Sequence, residues 1–323
     1  PNMDRLAREG MKLNRTHGGA FCAPARASLM TGYHDAHMGR WTFTTAGVYK
    51  LLATGEMTFE EVTELINNTG LQDCPGETFL AQIAREAGYV TGQVGKLEWG
   101  FATTPERIER HGWDYHYGYY DHQMCHGFYP PFVFENGVRV DISGNTHADC
   151  GKQPGTESKE NAEIRYDMTG KAVYSQDLFN EKILEFIRKH KDEPFFLFHP
   201  SQLPHGPIAV PEVHPGVRDV PGLTDFEKEY ASMVLRLDDT VGLILDELDA
   251  LGLADNTVVF FSSDNGHEIY THQPGRTEKR QTLDGVPIDD IETRYDSELC
   301  GDVFNGNDGM AGLKWTSWEG GTR

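Results

Sequence analysis

Apolar residues along the chain follow two rhythms: stretches with helical spacing, and short runs that are apolar throughout. Met3, Leu6 and Ala7 share one face of a segment over 2–10, which predicts an opening helix. Residues 24–31, begun by Pro24, and 77–87, closed by Gly88, predict two more. Residues 89–95 read as a short strand. Clear 3.6-residue spacing over 174–190 predicts a helix ahead of PFFLFHP, a buried strand. A long helix over 225–252 follows, with Tyr230, Met233, Leu237, Val241, Ile244 and Leu248 on its apolar stripe. The run TVVFF (257–261) then predicts another buried strand, ending in SSDNG.

Helices alternating with fully apolar strands point to an α/β sheet covered on both faces. The interval 115–170 is rich in Tyr, His, Gly and Pro and keeps no period, so it predicts an excursion from the sheet. Residues 268–312 form a second polar stretch without pattern. Ligand sites in such sheets lie beyond the carboxyl ends of strands. Chemistry is therefore expected just after Gly95, Phe198 and Phe261.

Charge narrows the function classes. Lys plus Arg is 29 against 50 Asp plus Glu, a net −21, a field that repels nucleic acid and anionic lipid. No apolar run is long enough to cross a bilayer, so neither nucleic acid nor membrane is expected as a partner. Five cysteines (Cys22, Cys74, Cys125, Cys150, Cys300) contain no CxxC pair, which disfavours thiolate zinc and iron–sulfur sites. The chain opens inside an amphipathic pattern and stops at EGGTR, so both ends read as cut and no leader can be judged.

The chemistry begins at FCAPARASLMTG, residues 21–32. Cys22, two residues before Pro24, is placed at the positive end of a helix, with Arg26 one turn on; a thiol there is acidified and nucleophilic. A buried Cys beside a helix cap is the plainer alternative. The run C-x-P-x-R followed by L-M-T-G resembles the signature of type I sulfatases, in which the Cys is oxidised to formylglycine. The resemblance continues in PNMDRLAREG (1–10), GYVTGQVGKLEWG (88–100), FFLFHPSQLPHGP (195–207), 230–266 and LKWTSWEGGTR (313–323), nearly end to end.

That resemblance implies a mixed, mostly parallel central sheet of alkaline-phosphatase type with helices on both faces, truncated at both ends. Residues 1–323 would be an incomplete catalytic domain, with substrate recognition in 113–170. It further implies hydrolysis of a sulfate ester through the hydrated aldehyde at Cys22 and a covalent sulfo-enzyme intermediate. Arg26 would hold the formylglycine, Lys96 would grip sulfate, and Lys314 with His205 would bind sulfate and protonate the leaving oxygen. Asp264 and Asn265, with the modified Cys22, would ligate Ca²⁺, with Mg²⁺ as the alternative; taken alone, D-N-G is a common hairpin turn. The family's two adjacent aspartates on a first strand would precede Pro1, and Asp238-Asp239, far along the helix over 225–252, cannot replace them.

Position 98 departs from the family. The family usually has a histidine there, which serves as a base, and this chain has Glu98. Glu98 either takes that base role or positions a lysine or sugar hydroxyl. In the stretch 113–132, Tyr115, Tyr117, Tyr119, Tyr120, His122 and His126 suit stacking on sugar rings, with Tyr120 and His122 as substrate-binding candidates; packing of an irregular loop is the alternative. The resemblance to bacterial carbohydrate sulfatases implies a sulfated saccharide substrate, a formylglycine-generating maturation enzyme as partner, and a periplasmic or extracellular location. The competing readings are a phosphonate or phosphate ester hydrolase of the same superfamily and a non-catalytic saccharide-binding homologue.

Overall fold

The computed structural model describes residues 1–34, 46–69, 76–98, 100–288 and 296–323. Helices α1 (Asn2–Glu9), α2 (Cys22–Thr31), α3 (Val48–Thr54), α4 (Phe59–Thr69) and α5 (Leu80–Glu86) precede strand β1 (Val90–Gly95). Helix α6 (Pro105–Arg110) leads to β2 (Tyr115–Gly118), then to the hairpin β3 (Phe132–Glu135) and β4 (Val138–Asp141). After α7 (Lys159–Tyr166), α8 (Ser175–Lys189) and β5 (Phe195–Phe198) come α9 (Pro215–Arg218), α10 (Asp225–Ala250) and α11 (Glu319–Thr322).

One five-stranded mixed sheet runs β4-β3-β2-β1-β5. Strand β1 pairs parallel with β2 and with β5, while β2–β3 and β3–β4 are antiparallel. Side chains alternate across a strand, so the register assigns the faces. Gly92 sits opposite Tyr115, and that face meets α8, where Phe186 stacks on Tyr115 at 5.9 Å and packs edge-on to Phe195. Phe179, Ile183, Phe186 and Ile187 give α8 its buried stripe, each contributing about 1.5–3 kcal/mol. The other face carries Phe196 and Phe198, which stack on Trp113 at 5.7 and 6.0 Å.

Two sequence expectations are corrected here. The interval 115–170 is an excursion only in part: over 115–141, β2, β3 and β4 extend the sheet, and Tyr117, Tyr119, Tyr120, Phe132, Val133 and Phe134 belong to the main core. Tyr120 is 1 % exposed and lies flat on Phe134 at 4.3 Å, so its ring is taken by packing and is not presented to a substrate. Nor is TVVFF a buried strand. No ladder partner reaches it among the described residues, and without one an alternating segment turns half its side chains outward. Val258 is 77 % and Phe260 88 % exposed, while Val259 packs against the core.

Asp238 does keep clear of the chemistry. Its carboxylate accepts from the Asn2 and Met3 amides, each at 2.9 Å, and so caps α1 against α10. Among the described residues Cys22, Cys125, Cys150 and Cys300 are free and buried; Cys74 lies outside them. No helix among the described residues is long and apolar enough to cross a membrane.

Candidate active site

The carboxyl ends of the parallel strands are drawn together by backbone contact. Gly95 (φ 133°) and Gly118 (φ 154°) end β1 and β2, and a Cβ on Gly118 would stand 2.0 Å from the Gly95 carbonyl oxygen. Only glycine fits there. The Tyr119 amide then donates to the Gly95 carbonyl (3.1 Å), and the Lys96 amide to the Pro200 carbonyl (2.8 Å). Lys96 and the loop carrying His205 therefore emerge side by side.

Helix α2 aims its first turn at this point. It starts at Cys22 itself, with Phe21 extended at the N-cap and Gly32 left-handed at the C-cap, so Cys22 is inside the first turn and not ahead of it. Cys22 is 3 % exposed. Burial would push its thiol up, but the charges of Lys96, Arg26 and Lys314 outweigh that and leave it below the usual thiol value. Arg26 Nε donates to the Cys22 carbonyl (3.2 Å), its Nη1 donates to the Leu97 carbonyl, and Nε stands 3.7 Å from the Asp264 carboxylate. Lys96 is 3 % exposed, and burial lowers its ammonium below the ordinary value, partly offset by Cys22.

His122 is the imidazole at the nucleophile, its Nε2 3.7 Å from Cys22 Sγ. Burial, then Lys96 and the neighbouring cations and His126, push its pKa well below 6.5. His122 is therefore a neutral imidazole beside an acidified thiol. His126 stacks on His205 at 4.2 Å, and burial, followed by Lys96, pushes it down to about 2.

His205 and Lys314 meet as expected, with Nζ 3.0 Å from Nε2. Lys314 comes in on the far side because its amide donates to the His267 carbonyl (2.7 Å) and the Trp315 amide to the Ala20 carbonyl (2.8 Å). Two partners of Lys314 are absent from the sequence reading: Tyr270 Oη at 3.0 Å and Glu268 Oε2 at 3.2 Å. Trp315, 56 % exposed, stacks on Phe21 at 4.5 Å, so an aromatic pair borders both Cys22 and Lys314.

Glu98 is placed differently from either expectation. It is 1 % exposed, its Oε1 is engaged by His111 Nδ1, and its Oε2 accepts from the Trp113 indole. Both oxygens are committed to α6's C-terminal segment and the Trp113 ring that backs β5. The base role moves off this residue.

Asp264 and Asn265 lie at the α2 end of the pocket, the Asp264 carbonyl accepting from the Gly19 amide at 3.0 Å. Among the described residues, the buried Asn265 Oδ1 meets no donor and the buried Arg26 Nη2 meets no acceptor. A buried oxygen with no donor beside a carboxylate is the donor type a hard cation takes, and a spare guanidinium N–H suits a further oxygen at position 22 or on an anion. Among the described residues no group of three or more His, Cys, Asp or Glu is gathered to hold a metal ion. Asp264 and Asn265 could supply one side of such a site.

The strand ends of this α/β sheet thus gather a thiol, three basic side chains and neutral imidazoles. The comparisons place it further: the Sulfatase family model matches residues 1–323, and the chain belongs to that family. It is 30 % identical over 269 residues to human N-acetylgalactosamine-6-sulfatase, covering 82 % of this chain and 45 % of that protein. It is 30 % identical over 312 residues to an N-acetylgalactosamine-6-O-sulfatase of Bacteroides thetaiotaomicron, covering 83 % of this chain and 54 % of that one. The chain thus spans about half the length of the curated relatives it matches. A Bacteroides thetaiotaomicron structure from a study of glycosaminoglycan metabolism superposes over the whole chain and 65 % of its own, with TM-score 0.63 and 25 % identity. A structure in complex with D-glucosamine-2-N,6-O-disulfate shares the fold at TM-score 0.51 and 17 % identity, covering 84 % of this chain and 61 % of its own.

Proposed function

We propose that the protein is a sulfuric ester hydrolase acting on a sulfated carbohydrate, with an oxidised Cys22 and Ca²⁺ as its working groups. The observation that carries the reading is the convergence on Cys22 of Lys96, His122 and Lys314 from three other segments, beside Arg26 of its own helix. The names of the relatives, N-acetylgalactosamine-6-sulfatases, support a sulfated amino sugar as the substrate class. Oxidised and hydrated, position 22 would supply an oxygen nucleophile for sulfur, and a bound Ca²⁺ would supply polarisation of the sulfate.

The chain's own residues do the rest. Lys96 and Arg26 neutralise the sulfate oxygens in a pocket where low exposure strengthens each contact. His122 Nε2 accepts the proton from a hydroxyl at position 22, the duty the sequence reading offered to Glu98. Lys314 and His205 flank the oxygen that leaves with the sugar. Asp264 and Asn265 Oδ1 would hold one side of the cation. The stacked Phe21–Trp315 pair offers an exposed face for the sugar ring. Export to the periplasm or the extracellular space, and activation by a formylglycine-generating enzyme, complete the proposal.

The test is twofold. Mass spectrometry of the Cys22 peptide, from protein made with the maturation enzyme, should find the aldehyde in place of the thiol. The same protein should release sulfate from N-acetylgalactosamine 6-sulfate and fail to do so as Cys22→Ala. Full conversion to the aldehyde without sulfate release from any sugar or aryl sulfate, but with turnover of an aryl phosphate diester, would transfer the assignment to phosphate ester chemistry.

A further inference from the structure

An ammonium has three hydrogens, and Lys314 already has three acceptors around it. Nζ lies 3.0 Å from His205 Nε2, 3.0 Å from Tyr270 Oη and 3.2 Å from Glu268 Oε2. The tautomer of His205 follows from its other nitrogen. Nδ1 sits 2.6 Å from the Gly206 carbonyl, which only accepts, so Nδ1 carries the hydrogen and Nε2 presents a lone pair to Lys314. His205 in this state has no proton for a leaving group, and every proton on Lys314 is already directed elsewhere.

Tyr270 is the exception. Its oxygen receives a hydrogen from Lys314, and its own O–H meets no acceptor among the described residues. The ring lies against His205, centroids 5.1 Å apart, and fills the space in front of Gly206, where a Cβ would fall 2.3 Å from Tyr270 Cδ1. The phenol is also close enough for Cys22 and Asp264 to raise its pKa, after burial and Glu268, so it is protonated at rest. Glu268 bridges Lys314 and Lys279, with Lys279 Nζ 3.7 Å from its other oxygen.

We propose that Tyr270 is the catalytic residue that hands the proton to the departing oxygen, with Lys314 restoring it and Glu268 as the positioning residue for Lys314; this rests on the sulfatase reading above. As the bond from sulfur to the leaving oxygen breaks, its electron pair stays with that oxygen, and sulfur is bonded instead to the incoming oxygen. The leaving oxygen takes the Tyr270 hydroxyl proton while Tyr270 Oη takes one from Lys314 Nζ. Lys314 is left as the amine and is recharged from water once the alcohol has gone. No phenolate accumulates, because the two transfers are coupled.

A proton donor matters in proportion to how poor the leaving group is. The experiment therefore measures kcat/KM for the full-length, matured enzyme on a series from nitrophenyl sulfate to alkyl and sugar sulfates. Tyr270→Phe should lose roughly 100-fold on alkyl and sugar sulfates and little on nitrophenyl sulfate. Glu268→Gln should steepen the leaving-group dependence in the same sense by roughly tenfold, and it serves as the second variant if Tyr270→Phe does not fold. An equal loss across the series, or no loss on alkyl sulfates, would overturn the assignment. If the unsubstituted enzyme hydrolyses no sulfate ester in the series, the underlying sulfatase reading fails instead.

Discussion

A carboxylate with both oxygens bonded and 1 % exposure cannot swing toward a substrate without abandoning two hydrogen bonds in a dry environment. That is the situation of Glu98 between His111 and Trp113. Glu98→Gln keeps the shape but sets an NH2, which cannot accept, against one of the two donors, and should cost about 1–3 kcal/mol of stability. Turnover per folded molecule should hardly change. Thermal unfolding and kcat on the same preparation check this, and a large fall in kcat at unchanged stability would return the base role to Glu98. Tyr120→Phe is the companion test at this scale: with the ring flat on Phe134, KM for a sulfated sugar should stay where it is. The residues that were legible one by one were those tied to a local motif, Cys22 and Arg26 in α2 and Lys96 at the end of β1. His122 was named for stacking and turned out to face Sγ. Tyr270 and Glu268 gave no signal in sequence, because their role comes from a backbone bond between His267 and Lys314, residues far apart along the chain.

Helices were read most faithfully where the apolar period was long. The segments over 174–190 and 225–252 became Ser175–Lys189 and Asp225–Ala250. The sheet was harder, since each of β2 to β5 is four residues long, too short to build a period against aromatic and polar neighbours. FVFENGVRV did carry a hairpin signal in Asn136-Gly137, both in left-handed conformation, inside an interval read as an excursion. TVVFF failed in the opposite way, being strand-like in composition but unpaired among the described residues. The start of α10 shows what local signals can do. Thr224 accepts from the Glu227 amide (3.2 Å), and Glu227 accepts from the Thr224 amide (2.9 Å) while gripping Arg276 at 2.7 and 2.8 Å. Thr224→Ala should cost about 1 kcal/mol. For Glu227, burial would raise the pKa, but Arg276 and the Thr224 amide pull it below the ordinary 4.5. A depressed folded-state value means that the stabilisation is complete above 4.5 and is lost as pH falls through the folded value. The Tm gap between the wild type and Glu227→Gln should therefore be widest at neutral pH and close in acid. A gap that stays constant across that range would show that the charge is not what stabilises the cap.

At the scale of the whole chain, which carries a net −21, the basic side chains of the pocket, Arg26, Lys96 and Lys314, are all buried. The two fields act over different distances. Exposed charge is screened within about 10 Å at 0.1 M salt, and buried charge far less. A single sulfated sugar that enters the pocket meets mainly the buried cations. A polysulfated chain must also lie across the acidic exterior, where each further sulfate is repelled. Raising salt from about 0.01 to 0.15 M should thus raise kcat/KM for a polysulfated polymer, while kcat/KM for a monosulfated sugar stays level or falls. Measuring both on one enzyme preparation cancels any effect of salt on folding. A steep fall for the polymer would mean that a basic track on the exterior guides it, and the picture of a positive well inside a repelling shell would have to be given up.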